Sequence, residues 1–161
     1  MYKHVLSFAA LAAGLAASTA PADAQLRRGH LAVARGATGN GIAQWRSASR
    51  DPGSATIRRG METSNGRGYR HERSRNYGPG HYSADRSTQL NNGRGATTAR
   101  DASWGDGSFN ATRTTTLNNG NSVGRSTSAI NNGNGTASYS TTINGPKGGS
   151  RTVSGTVPRR P

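Results

Sequence analysis

Arg73, Arg86, Arg100 and Arg113 recur at steps of 13 and 14 residues, each four places ahead of a large residue: Tyr77, Leu90, Trp104 and Leu117. A guanidinium presents a planar fork of donors that matches phosphate, sulfate or carboxylate, and it stays charged at physiological pH. Regular guanidinium spacing is therefore a chemistry of holding anions rather than of making bonds. Arg159 and Arg160 close the chain with two more. The candidate polyanion-binding residues are thus Arg73, Arg86, Arg100, Arg113, Arg159 and Arg160. The partner classes this chemistry admits are acidic polysaccharide, lipopolysaccharide and extracellular nucleic acid. The same pattern also describes a solvated, self-repelling charge array that keeps a chain soluble.

Catalytic chemistry has little to work with. Beyond residue 25 the acids are Asp51, Glu62, Glu72, Asp85, Asp101 and Asp106, and the histidines are His30, His71 and His81. His71 and Glu72 are adjacent, but no nucleophile sits in an elbow context beside them. His71 and His81 lack the spacing of a zinc site. The absence of cysteine removes thiol catalysis, thiolate-bound metal and disulfides. The expectation is a protein that is not an enzyme and uses no cofactor or metal.

The start of the chain has the pattern of a secretory signal. Lys3 and His4 precede an apolar run over residues 5–17, and Ala22-Asp23-Ala24 offers a small-x-small cleavage site before Gln25. The run is shorter than the ~20 residues a bilayer crossing needs. A signal peptide over 1–24, cleaved after Ala24, predicts export in the bacterial manner, to the periplasm, cell surface or extracellular space. No stable transmembrane segment is expected after its removal. The remaining 137 residues contain only 13 Leu, Ile, Val and Phe, far below the ~20% under which a charged chain tends to disorder. With a net charge of +14, a conventional core is not expected. Backbone ladders and Thr, Ser and Asn pairs, or a partner, must supply the stabilisation.

The elements that would position the arginines are short strands joined by glycine turns. Asn-Gly recurs at Asn65-Gly66, Asn92-Gly93, Asn119-Gly120, Asn132-Gly133 and Asn144-Gly145. Flanked by β-formers, Asn-Gly signals a hairpin turn whose two central residues both accept positive φ. Asp51-Pro52-Gly53, Gly78-Pro79-Gly80 and Gly105-Asp106-Gly107 form a second series, which Asn131-Asn132-Gly133 joins, and the register runs back to Asn40-Gly41. The unit is about 13 residues per strand and turn, and about 26 per pair. In residues 108–117, Phe109, Ala111, Arg113, Thr115 and Leu117 fall on one face by alternation. The organisation expected is a signal over 1–24, a flexible basic Gly/Arg-rich segment over 25–40, a strand-turn repeat over 41–158, clearest over 81–158, and a basic tail over 159–161.

Three all-β arrangements fit: an antiparallel meander, a solenoid of two strands per coil, or a chain that orders only on assembly, with substantial disorder especially over 25–67. Solenoid coils would stack Arg73 on Arg100 and Arg86 on Arg113, and stacked like charges are unfavourable. A meander is expected to send successive arginines to alternate ends of the sheet, which favours it. The serial strand-turn units rich in Gly, Asn, Ser and Thr, behind a leader and without cysteine, resemble the curlin-like secreted β-repeat proteins of bacterial amyloid fibres. That resemblance implies a self-assembling fibre subunit and carries no residue roles with it. The expected function is an exported structural or adhesive repeat protein of the cell surface or matrix, associating with itself through strand edges. The alternative is a soluble secreted or periplasmic binder of anionic polymers.

Overall fold

The computed structural model describes residues 26–37 and 39–158. The expected signal segment and Arg159 and Arg160 lie outside the described residues. Among the described residues ten strands follow one another: β1 (Leu26–Arg35), β2 (Gly41–Asp51), β3 (Ser54–Thr63), β4 (Gly68–Gly78), β5 (His81–Leu90), β6 (Gly95–Gly105), β7 (Ser108–Leu117), β8 (Ser122–Asn131), β9 (Thr136–Asn144) and β10 (Ser150–Pro158). Each pairs antiparallel with the next, in the order β1 to β10. The fold is the all-β meander, one open sheet with β1 and β10 as free edges among the described residues. The repeat starts earlier than the glycine register indicates. Residues 26–35 form a strand where a flexible segment was expected, and β2 and β3 carry regular ladders through the region expected to be least ordered.

The two turn series are two geometries at opposite ends of the sheet. Pro52-Gly53, Pro79-Gly80 and Asp106-Gly107 are two-residue links, with Asp51 opposite Ser54, Gly78 opposite His81 and Gly105 opposite Ser108. Proline fixes the first φ and glycine supplies the positive one, as at Gly53 (φ 76) and Gly80 (φ 69). Asp106 (φ 48) is the one positive-φ residue other than glycine among the described residues. At the other end the β3–β4, β5–β6 and β7–β8 links are four residues long. Gly66, Gly93 and Gly120 each donate to the carbonyl three residues back, at 2.9, 3.1 and 2.9 Å.

The asparagines in these longer links do not take positive φ, contrary to the hairpin expectation. Asn92 Oδ1 accepts the Arg94 N–H at 3.1 Å and Asn119 Oδ1 the Asn121 N–H at 3.0 Å, the local bond that suits asparagine to turns. Asn65 makes the same bond to Arg67 at 3.4 Å. Asn144-Gly145 is displaced from the centre of its turn. Asn144 ends β9, and the positive φ falls on Gly148 (φ 80) after Pro146-Lys147. Asn132-Gly133 does hold a turn, with positive φ at both Gly133 and Gly135.

Cross-strand partners share a face, so the registers sort the side chains. Phe109, Ala111, Arg113, Thr115 and Leu117 lie together as expected, opposite Trp104, Ala102, Arg100, Thr98 and Ala96. Hydroxyl pairs tie neighbouring strands: Thr98 to Thr115 at 3.0 Å, Thr127 to Thr141 at 3.1 Å and Thr142 to Thr152 at 2.9 Å. Asn91 and Asn118, 27 residues apart, reach back from their turns to the carbonyls of Gly66 and Gly93 at 3.0 and 2.8 Å. Strands contact only their sequence neighbours, so among the described residues no second layer covers either face. Among the described residues only Gly60 and Ala84 are buried.

Gly60 is buried because the Trp45 ring lies on it, across the β2–β3 ladder. A methyl group there would overlap the indole. Gly60→Ala is expected to lower stability by about 1–3 kcal/mol through overpacking. Gly78→Ala, where nothing stands within 4 Å and φ is not positive, serves as the control. Urea midpoints compare the two; equal midpoints would refute the packing role of the glycine.

Candidate polyanion-binding face

Arg73, Arg86, Arg100 and Arg113 each sit in the middle of a strand, and the meander brings them face to face. Arg73 pairs with Arg86, Arg100 with Arg113, and Arg113 with Arg125. This corrects the expectation that a meander separates them. Alternation of ends separates only residues near a strand end. Arg100 and Arg113 stand equally far from the turn at Asp106-Gly107, so folding back at that turn places them opposite each other at about 4.5–5.5 Å between Cα atoms. The meander forms despite the like-charge pairs.

The face these arginines occupy carries Arg28 on β1, Arg46 and Arg50 on β2, and Arg59 on β3. It continues with Arg73 and Arg75 on β4, Arg86 on β5, Arg100 on β6, Arg113 on β7, Arg125 on β8 and Arg151 on β10. None of the carboxylates in the strands lies on it. Asp51, Glu62, Glu72, Asp85 and Asp101 all fall on the opposite face, by the same registers. That face has only Arg27, Arg35, Arg58 and Arg70, and its Arg58 is paired to Glu72 at 2.9 Å. By register, one side of the sheet is therefore cationic with no strand carboxylate of its own, and the other is close to neutral.

The four candidate arginines of the strands meet at one place. Arg73, Arg86, Arg100 and Arg113 line a shallow concavity of about 240 Å³ over β4–β7, with Tyr82 and Thr98 on the same face and Asp85 also in its wall. Next to it, Arg100, Arg113 and Arg125 line a second of about 390 Å³ with Tyr82 and Phe109, and Asp101 also borders it. Arg75 is wedged in the same region, its Nε shielded from solvent and without a hydrogen-bond partner. Arg46 and Arg59 extend the pattern toward β1. They pair with each other and stand 27 residues before Arg73 and Arg86. Sequence reading overlooked them, although the 27-residue step was there to find them.

The cationic face acts on His71. Burial first, and then Arg59, Arg86 and Arg73, hold its pKa below the ordinary 6.5. It faces Arg59 on β3 and Thr88 on β5, with Nδ1 2.8 Å from Thr88 Oγ1. Ile57, Met61, Arg86 and Leu90 lie diagonally, and Tyr69 and Arg73 are next on its own strand. Because the folded form resists protonation, this contribution to stability is intact above pH 6.5 and is lost as pH falls through the depressed folded pKa. His71→Gln should flatten the acid side of the midpoint-against-pH curve below pH 6.5. An unchanged curve would show that His71 is not the group responsible.

No protein-family model, curated protein or solved structure matches the chain.

Proposed function

We propose that the protein is a non-catalytic binder of anionic polymers acting outside the cytoplasm, and that it holds a polymer across the arginine-bearing face of its sheet. The observation that carries this reading is the segregation of charge: eleven strand arginines and no strand carboxylate share one face. A charge array serving only solubility has no need to keep its carboxylates off one side, and like charges set opposite one another cost stability that a bound polyanion would return. The extracellular setting rests on the leader pattern of residues 1–24. Retention on a sulfated-polysaccharide or nucleic acid resin at low salt, released by moderate salt, is the expected behaviour. A protein that flows through at low salt would end the proposal.

A second reading, a structural or adhesive subunit that adds to itself, is favoured by the free edges β1 and β10. Ten is an even number of strands, so a copy related by simple translation would set its β1 antiparallel to the preceding β10 and continue the alternation with the arginine face on the same side. Such a contact does not close on itself and would grow as a fibre. Aligned assemblies should then give a reflection near 4.7–4.8 Å. A protein that stays monomeric at high concentration for days argues against this reading and leaves the first untouched.

A further inference from the structure

We infer that the polymer the arginine face takes is a single-stranded nucleic acid, with its phosphates along the mid-strand arginines and its bases on a parallel band of exposed aromatic rings. This rests on the polyanion reading and adds to it the class of ligand. The second band stands on the same face, toward the two-residue turns. Tyr77 is opposite Tyr82 on β4–β5, and Trp104 is opposite Phe109 on β6–β7. The two pairs are 27 residues apart, the step that also relates the arginine pairs. Tyr139 prolongs the band through Ala129 on β8. Tyr82 and Tyr139 are half-buried, and the other three rings are exposed. Tyr77 and Trp104 are each 47% exposed and Phe109 39%, in a chain short of apolar residues to spend on a surface.

The bands are close enough to serve one ligand. Tyr82 lies beside Ala102, one row from Arg100, which is roughly 6–7 Å along the strand. Tyr82 and Phe109 share their concavity with Arg100, Arg113 and Arg125. The arginine band crosses β2 to β8, roughly 29 Å at the interstrand spacing. A polymer lying across the strands thus meets charge along one side and flat apolar rings along the other.

Different polyanions distribute these two properties differently. A single nucleic acid strand has its charge on the backbone and an unpaired ring projecting from every unit, and arginine grooves with stacking aromatics suit it without regard to sequence. Polyphosphate has charge and no rings. An acidic polysaccharide bears its charge on the rings themselves, and a duplex keeps its bases stacked on one another. Only the single strand matches a face on which charge and rings form separate bands.

The test measures binding of the purified protein to oligothymidylate of about 20 nucleotides, beyond the ~4–16 that one such site covers. Polyphosphate, a sulfated polysaccharide and a duplex of the same length are the comparison ligands. Oligothymidylate should quench Trp104 fluorescence while polyphosphate does not. Trp45, on the opposite face, supplies a constant background. Tyr82→Leu, Trp104→Leu and Phe109→Leu together should weaken oligothymidylate binding by about 100-fold or more and change polyphosphate binding by less than about threefold. Circular dichroism checks that the variant keeps its sheet, and quenching of the unaltered protein is a readout that needs no variant. Binding of all the polymers without Trp104 quenching, or tightest binding to the polysaccharide, would overturn this inference while the polyanion reading stands. Failure of every polymer to bind at low salt would overturn that reading itself.

Discussion

Replacing Arg73, Arg86, Arg100 and Arg113 together by threonine should weaken binding of oligothymidylate by on the order of 10³-fold at 0.1 M salt. It should also reduce the slope of log affinity against log salt by about three. Each phosphate neutralised on a single strand contributes about 0.7 to that slope, so four lost contacts account for both figures. The control removes the same number of charges from the other face, at Arg27, Arg35, Arg58 and Arg70. If net charge alone attracted the polymer, the two variants would lose affinity equally. If the geometry of the face matters, the second should lose less than about tenfold, since its guanidinium groups point away and act only through screened long-range attraction. Unfolding cannot mimic the first result. Threonine suits a strand, and removing Arg100 and Arg113 relieves a like-charge pair. Equal losses in the two variants would remove the arginine face from the mechanism.

Most of the fold is legible in the glycines, because the physics there is local. A positive φ is reached cheaply by glycine, so Gly53, Gly66, Gly80, Gly93, Gly107 and Gly120 mark their turns wherever the strands later go. The division into two series anticipates two turn geometries for the same reason. Where glycines crowd, locality fails: Gly39 rather than Gly41 turns the chain into β2, and Gly148 rather than Gly145 turns it into β10. The candidate site was legible only in part because it depends on register. Arg73 to Arg113 could be picked out by spacing. Whether they meet depends on their distance from each turn, which sets them opposite one another rather than at alternate ends. The exclusion of carboxylates from their face follows from alternation once the partners are known. Asp85 and Asp101 each adjoin a face arginine in sequence, and it is that adjacency which turns them to the other side.

The same pairing makes a second, opposite-signed prediction about stability. Added salt should raise the unfolding midpoint of the free protein and lower that of the protein saturated with polyanion. In the free sheet, Arg46 faces Arg59, Arg73 faces Arg86, and Arg113 stands between Arg100 and Arg125. Each such contact opposes folding by about 0.2–1 kcal/mol, and counterions screen it. With no second layer and only Gly60 and Ala84 buried among the described residues, little apolar burial offsets the repulsion, so its relief should be visible as a rise in midpoint. A polyanion relieves it more fully and adds its own binding energy, about 2.7–4.1 kcal/mol at 100 to 1,000 times its dissociation constant. At about 4 °C per kcal/mol for a sheet of this length, the midpoint should rise by roughly 10–15 °C. Salt then weakens the contacts that hold the polymer, so the bound protein's midpoint falls toward that of the free protein. Thermal melts followed by circular dichroism at several salt concentrations, with and without oligothymidylate, give both slopes. Parallel slopes in the two series would mean that the arginine pairs neither strain the free sheet nor hold the ligand.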